Sequence, residues 1–258
     1  MASNEVVALD FPPDWGCRLM ERQGEFMRAE RILEIGGGDF SRVISLAIRH
    51  PNKQFVSVDF RYEAKAIANV SLAAALPNVN FIKINALDRF FADELFDFVF
   101  SIALMEHIPQ LERFLSVVHA LLAPRGTYAF FQAPFWSSKT GHHFRHSDPA
   151  VRNVLNSYEH IRFDADEMRA YLKTVQDLPF DIEDCVRMIY ARPDLSRLSS
   201  SESKRIALSS SFVIDTWDER LDKDFDESQA NVALATHSGR YTLDDFHVDA
   251  VFARLVKM

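Results

Sequence analysis

Cysteine is scarce in this chain: Cys17 and Cys185 stand alone among 258 residues. Two cysteines cannot build a disulfide framework, and no Cys-x-x-Cys pair is present to hold zinc. That usage fits a reducing compartment, so the cytoplasm is the expected location. Long apolar runs are also missing. None approaches the ~18–20 uncharged residues of a membrane-spanning helix, so no membrane partner is expected. The N-terminal stretch MASNEVVALDFPPDW carries acids and no basic cluster, so it does not read as a secretory leader. Positive charge is in deficit, with 29 Lys and Arg against 37 Asp and Glu and a formal net charge of −8. A nucleic-acid backbone is therefore not the expected partner. Internal repeats are absent as well.

What remains is a chain with 48% hydrophobic and 26% charged residues, enough apolar surface to offset chain entropy and exclude global disorder. At roughly 100–200 residues per domain, it is one large domain or one domain with an insertion. Residues 16–29 place apolar side chains at helical spacing. RILEIGG then reads as a short buried strand, followed by the helix SRVISLAIRH, stopped at Pro51. QFVSVDF, NFIKINA, FDFVFSIA and TYAFFQAPF read as further strands. The helices EAKAIANVSLAAAL and LERFLSVVHALLA lie between them, with a Pro-Arg-Gly turn at 124–126. Strands apolar on both faces, alternating with helices, predict a doubly wound, mostly parallel α/β sheet of Rossmann-like form with helices on both faces. Ligand should then sit beyond the carboxyl ends of the strands. After residue 136 the rhythm changes. DADEMRAYLKTVQ reads as a helix, FDIEDCVRMIYA as a strand and HVDAVFARLVKM as a terminal strand, with 193–240 as a C-terminal insertion or cap. The expected division is an N-terminal helical segment (1–30), a ligand-binding core (31–136) and an acceptor-side segment (137–258).

Glu34-Ile35-Gly36-Gly37-Gly38-Asp39-Phe40 follows a strand and opens a helix. Glycines let backbone approach a ligand closely, and the helix N-terminus offers unpaired N–H groups. Asp59 ends the next strand, where a carboxylate accepts both hydroxyls of a ribose diol. A dinucleotide and S-adenosylmethionine share this geometry. The dinucleotide fingerprint wants a small third residue where Ser41 stands, a partial match. Glu34, two residues before the first glycine, suits a cationic ligand instead. The plainer reading, a flexible turn beside a surface acid, loses weight once Asp59 is in register.

ILEIGGGDF, VSVDFR, NFIKINALD and FDFVFSIALMEHI, in that order, resemble the successive motifs of class I S-adenosylmethionine-dependent methyltransferases over about residues 30–136. The resemblance implies that Gly36, Gly37 and Gly38 line the methionine moiety with Glu34 supporting their loop. It implies Asp59 on the ribose, Phe60 and Asn85 with Ala86 around the adenine, and Ser101 and Ile102 near the methyl donor. Phe40 departs from the small residue often found there and is expected to tighten or reshape the loop.

Glu106-His107 matches an acid–His pair of the family's small-molecule branch. His107 is a candidate general base, and the plainer role is to fix the loop. The tetrad D/N/S-P-P-aromatic, used by relatives that methylate base amino groups, is absent, since residues 101–104 read Ser-Ile-Ala-Leu. The segment Trp136 to His146 leaves the fifth strand and borders the expected acceptor pocket. His142 and His143 are its preferred base or acceptor ligands. His142 and His146 have metal-ligand spacing, but no acid completes an H-E-x-x-H pattern, so no metal is expected. The 22 Phe against 3 Trp and 6 Tyr read as core and pocket wall.

The reading is an enzyme that moves the methyl of S-adenosylmethionine to an O or N nucleophile of a small-molecule acceptor, with His-assisted proton removal. A homodimer is compatible with it. One rival is an NAD(P)-dependent oxidoreductase, which lacks a recognisable Tyr-x-x-x-Lys. Another is a catalytically silent methyltransferase-like binding subunit, favoured if 193–240 fills the pocket.

Overall fold

The computed structural model describes residues 11–88, 91–145, 147–237 and 239–258. The first ten residues and His146, both part of the sequence expectations above, lie outside them. Seven strands form one sheet: β1 (Arg31–Ile35), β2 (Gln54–Asp59), β3 (Val79–Lys83), β4 (Phe96–Ile102), β5 (Leu122–Gln132), β6 (Phe212–Leu221) and β7 (Val248–Lys257). Their order is β3-β2-β1-β4-β5-β7-β6. The first five strands pair in parallel, and β7 runs antiparallel to both β5 and β6.

The parallel strands are apolar on both faces because helices cover both. Alternate side chains point to opposite faces. Leu33 and Val99 pack on one side with Phe114 and Leu115 of α5 (Leu111–Leu121). Ile32, Phe98 and Phe100 pack on the other with Val43, Ile44 and Leu46 of α3 (Ser41–Arg49). The N-terminal α1 (Trp15–Glu21) and α2 (Gly24–Arg28) join this second side through Cys17, Met20 and Phe26. Residues 16–29 are thus two short helices rather than one. Gln23 is extended between them, and Asp14 caps the first by accepting from the Cys17 N–H. The helix after β2, α4 (Ala64–Leu72), completes the first half.

Beyond β5 the chain builds a helical lobe from α6 (Pro149–Val154), α7 (Glu159–Arg162), α8 (Ala165–Leu172), α9 (Ile182–Tyr190), α11 (Glu227–Thr236) and α12 (Leu243–His247), while α10 (Ser200–Ser209) packs on α5. The lobe has its own core around Phe144, Tyr158, Met168, Cys185, Ile189 and Phe246. Two expectations change here. FDIEDCVRMIYA forms helix α9, not a strand: Asp181 caps it by accepting from the Asp184 N–H, and Cys185, Val186 and Ile189 bury one face at helical spacing. The 193–240 segment is not all cap, because β6 lies inside it and pairs along β7. The Pro-Arg-Gly turn survives as a bulge where the β4–β5 register jumps between the Phe96–Leu122 and Phe98–Thr127 pairs.

Candidate functional site

Strand order reverses between β1 and β4, so a crevice opens at their carboxyl ends. The glycine turn stands at its edge. Gly36 and Gly38 have φ of +80° and +60°, a left-handed backbone that glycine adopts without steric cost. A Cβ on Gly36 would lie 2.9 Å from Leu104, and one on Gly37 would lie 2.3 Å from Ser57 Oγ and 2.5 Å from the Phe40 ring. A Cβ on Gly38 would meet nothing within 4 Å. Phe40 is fully buried and packs at 5.0 Å from Tyr62 and 5.1 Å from Phe81, so its ring anchors the turn to the core.

Glu34 turns away from the crevice. It is fully buried, accepting from Ser57 Oγ at 2.7 Å and from Arg42 Nη1 at 3.1 Å. Arg42 also pairs with Asp14 at 3.1 Å. Burial pushes the Glu34 carboxyl up, and Arg42 and Ser57 act against that push. The expectation that Glu34 faces a cationic ligand is therefore corrected: both oxygens are used inside the protein, beneath the turn.

A cavity of about 630 Å³ extends from the turn. Gly36, Gly38, Asp59, Phe60, Asn85 and Ala86 line one end. Asp59 Oδ2 accepts from the Gly38 N–H at 2.9 Å and Oδ1 from the Arg61 N–H at 2.8 Å. A carboxylate has about four lone-pair sites, so both oxygens retain acceptor capacity. Phe60 is 52% exposed, with the Arg61 guanidinium 4.7 Å from its ring centre. Asn85 Oδ1 accepts from the Leu87 N–H, which turns the loop after β3. Gly37, Ser101 and Ile102 are not among the lining residues. Gly37 and Ile102 are buried, and Ser101 Oγ is hydrogen-bonded to the buried Tyr128 hydroxyl at 2.7 Å, so Ser101 and Ile102 support the wall from behind.

His107, Ile108, Arg192 and Asp194 line the same cavity. His107 Nδ1 is 3.8 Å from Asp194 Oδ2 and 3.5 Å from Arg192 Nη2. Burial and the Arg192 charge hold His107 below the usual imidazole value, against the pull of Asp194. The guanidinium of Arg192 in turn holds the Asp194 carboxyl down to about 2. Glu106 beside it is 4% exposed, and burial pushes its carboxyl up to about 8. The His143 ring packs edge-on against His107 at 5.2 Å, while its Nδ1 donates to the Gly141 carbonyl at 2.6 Å. His142 departs from expectation. It is 1% exposed, its Nδ1 accepts from the Phe144 N–H at 3.0 Å, its ring lies 5.5 Å from buried His160, and it is not among the cavity's lining residues. Neither His142 nor His143 lines the cavity itself; His143 stands behind His107, whose ring it touches, and His142 packs away from it against His160.

Residues 32–126 match the family model for a methyltransferase domain. The matched segment is a methyltransferase domain. Solved structures share the fold. The geranyl diphosphate C-methyltransferase from Streptomyces coelicolor A3(2), with Mg2+, geranyl-S-thiolodiphosphate and S-adenosyl-L-homocysteine bound, is 14% identical at TM-score 0.52, over 89% of this chain and 70% of that one. The PH0226 protein from Pyrococcus horikoshii OT3 is 14% identical at TM-score 0.52, over 93% and 86%. The 4+2 cyclase SpnF is 13% identical at TM-score 0.55, over 97% and 84%. No match was found among curated proteins. Among the described residues no helix is long and apolar enough to cross a membrane.

The methyltransferase domain's cavity contains residues that sequence reading missed. Arg61 follows the strand-two acid directly and lines the wall. Arg192 and Asp194 come from the loop after α9, more than 80 residues beyond His107, and no local motif marks them. Their only signal was an Arg-Pro-Asp turn in a stretch without clear periodicity.

Proposed function

We propose that the methyltransferase binds S-adenosylmethionine at the glycine end of the cavity and methylates an oxygen or nitrogen of a small-molecule acceptor held at the His107 end. One observation carries the reading: a single cavity joins Gly38 and Asp59 to His107 and Asp194. Its volume lies within the ~300–1,000 Å³ range of small-ligand sites. In this reading Asp59 takes the ribose diol, Gly36 and Gly38 the methionine moiety, and Phe60, Asn85 and Ala86 the adenine; that all six line one cavity supports it. When bound, the cofactor would supply a methyl already activated by its sulfonium. The protein aligns donor and acceptor and receives the acceptor's proton at His143 Nε2 or at His107. His143 is favoured, because a carbonyl can only accept: Nδ1 carries the proton and Nε2 is the basic ring nitrogen. Residues 31–136 then serve the cofactor and 137–258 the acceptor. A net charge of −8 supports a small acceptor over a nucleic acid, and two free, buried cysteines suit the cytoplasm. The silent-subunit reading required 193–240 to fill the pocket, whereas Pro193 and Asp194 line a cavity that stays open.

Thermal shift with S-adenosylmethionine, S-adenosylhomocysteine, NAD and NADP tests the cofactor, since a ligand of the folded state raises Tm. Stabilisation by the two nicotinamide nucleotides alone overturns the proposal.

A further inference from the structure

Glu106, His107 and His143 each bring one ligating atom to within 4.8 Å of the other two. They come from two segments. Glu106 and His107 sit in the short turn after β4 (Met105–His107), and His143 follows β5. Three details set this cluster apart from an incidental meeting of polar groups.

Glu106 is 4% exposed, yet its Oε2 has no hydrogen-bond partner among the described residues. Buried carboxylate oxygens are normally satisfied, so such an atom calls for a ligand. His143 donates Nδ1–H to the Gly141 carbonyl, which leaves Nε2 deprotonated. Metal-bound imidazoles are held in this way, with the other ring nitrogen fixed by a backbone carbonyl or carboxylate. Finally, Asp194 lies 3.8 Å from His107 Nδ1 and is itself paired to Arg192 at 2.5 Å. The nearby guanidinium is thereby neutralised, and a carboxylate stands behind the histidine.

We propose that Glu106, His107 and His143 form a site for one divalent transition-metal ion, with open positions toward the acceptor end of the cavity. Two imidazoles and one carboxylate suit Zn2+, Co2+, Fe2+ or Mn2+ better than Mg2+ or Ca2+, which prefer all-oxygen shells. Bonds of roughly 2.0–2.2 Å require the ligand atoms to close to about 3–4 Å apart. The His107 side chain is only half-buried, and its rotation toward the fixed His143 ring supplies that closure. An acceptor oxygen bound to such an ion loses its proton to water more readily, so the two histidines act through the ion rather than as free bases. That last role rests on the methyl-transfer reading; the metal site itself does not.

The test uses chelator-treated full chain, titrated calorimetrically with Zn2+ and followed with Co2+ by visible absorption. One equivalent is expected to bind the wild type. Glu106→Gln and His143→Gln should each weaken it at least about tenfold, because even outer partners of metal ligands are worth about 10–100-fold. S-adenosylhomocysteine titration of the same variants reports whether they remain folded. His143 is less buried than Glu106 and provides the independent variant if Glu106→Gln fails to fold. Absence of Co2+ and Zn2+ uptake, or equal uptake by wild type and both variants, overturns the site. Metal binding as expected without any S-adenosylhomocysteine binding leaves the site standing and overturns the methyl-transfer reading instead.

Discussion

Arg42 and Glu34 form an ion pair at 3.1 Å directly beneath the glycine turn, with Glu34 fully buried. The same guanidinium reaches Asp14, the residue that caps α1. One side chain thus ties the N-terminal helix, the end of β1 and the start of α3 into a single support.

Arg42→Met should destabilise the protein by about 3–5 kcal/mol, because it leaves a buried carboxylate without its cation. The double variant Glu34→Gln/Arg42→Met should recover most of that loss. Urea unfolding of the three proteins measures both values, and an Arg42→Met midpoint equal to wild type would show that the pair contributes nothing.

Asp59→Ala should weaken S-adenosylhomocysteine by about 1–3 kcal/mol, roughly five- to 150-fold, since the ribose hydroxyls lose their acceptor. Part of the loss comes from the turn, because Gly38 and Arg61 also lose their acceptor. Asp59→Asn keeps one carbonyl oxygen and should fall between the two. Calorimetric titration decides, and equal affinity in all three would remove Asp59 from the site.

The glycines should separate by assay. A methyl on Gly37 meets Ser57 and Phe40 inside contact distance, so Gly37→Ala should lower stability by about 1–3 kcal/mol. Gly38→Ala adds its methyl to open cavity space and strains only the backbone, by about 1–2 kcal/mol. Its larger effect should be on cofactor affinity. Unfolding curves beside S-adenosylhomocysteine titrations test the contrast. Loss of stability without loss of binding in Gly38→Ala would contradict it.

His160 should make the fold acid-sensitive. It is buried, its Nε2 lies 2.7 Å from the Trp136 carbonyl, and burial holds its pKa down to about 4. The unfolded chain binds a proton near pH 6.5 that the folded chain refuses until about pH 4. Its contribution is therefore complete above pH 6.5 and is lost as pH falls through that window, by roughly 3 kcal/mol in all. His160→Gln should flatten Tm against pH between 4 and 6.5; an unchanged slope would assign the sensitivity to other groups.

The half of the molecule before residue 136 was legible because its signals are local. Strands such as FDFVFSI are apolar on both faces, and glycine and proline punctuate them. The second half was harder. FDIEDCVRMIYA alternates enough apolar residues to mimic a strand, and the decisive feature was the Asp181 cap. The site divides in the same way. Gly36, Gly38 and Asp59 are marked by spacing, so their place on the cavity followed from sequence. The cationic-ligand reading of Glu34 failed because spacing cannot reveal that Arg42, in the first turn of α3, folds back onto it. In the histidine segment, sequence could not show that His143 meets Glu106 and His107 from a different loop, or that His142 is turned inward by a hydrogen bond to its own turn.

The position of β7 governs the order in which the molecule can be assembled. Residues 248–257 lie between β5 and β6, pairing with both. During synthesis β5 must wait with one hydrogen-bonding edge unpaired while more than a hundred further residues emerge. The strands β1 to β5 can form their parallel pairs in that interval. The β6 strand cannot join the sheet until its neighbour arrives. A nascent chain arrested before residue 248 should therefore expose a sticky sheet edge and recruit holdase chaperones, and release of the last strand should free it.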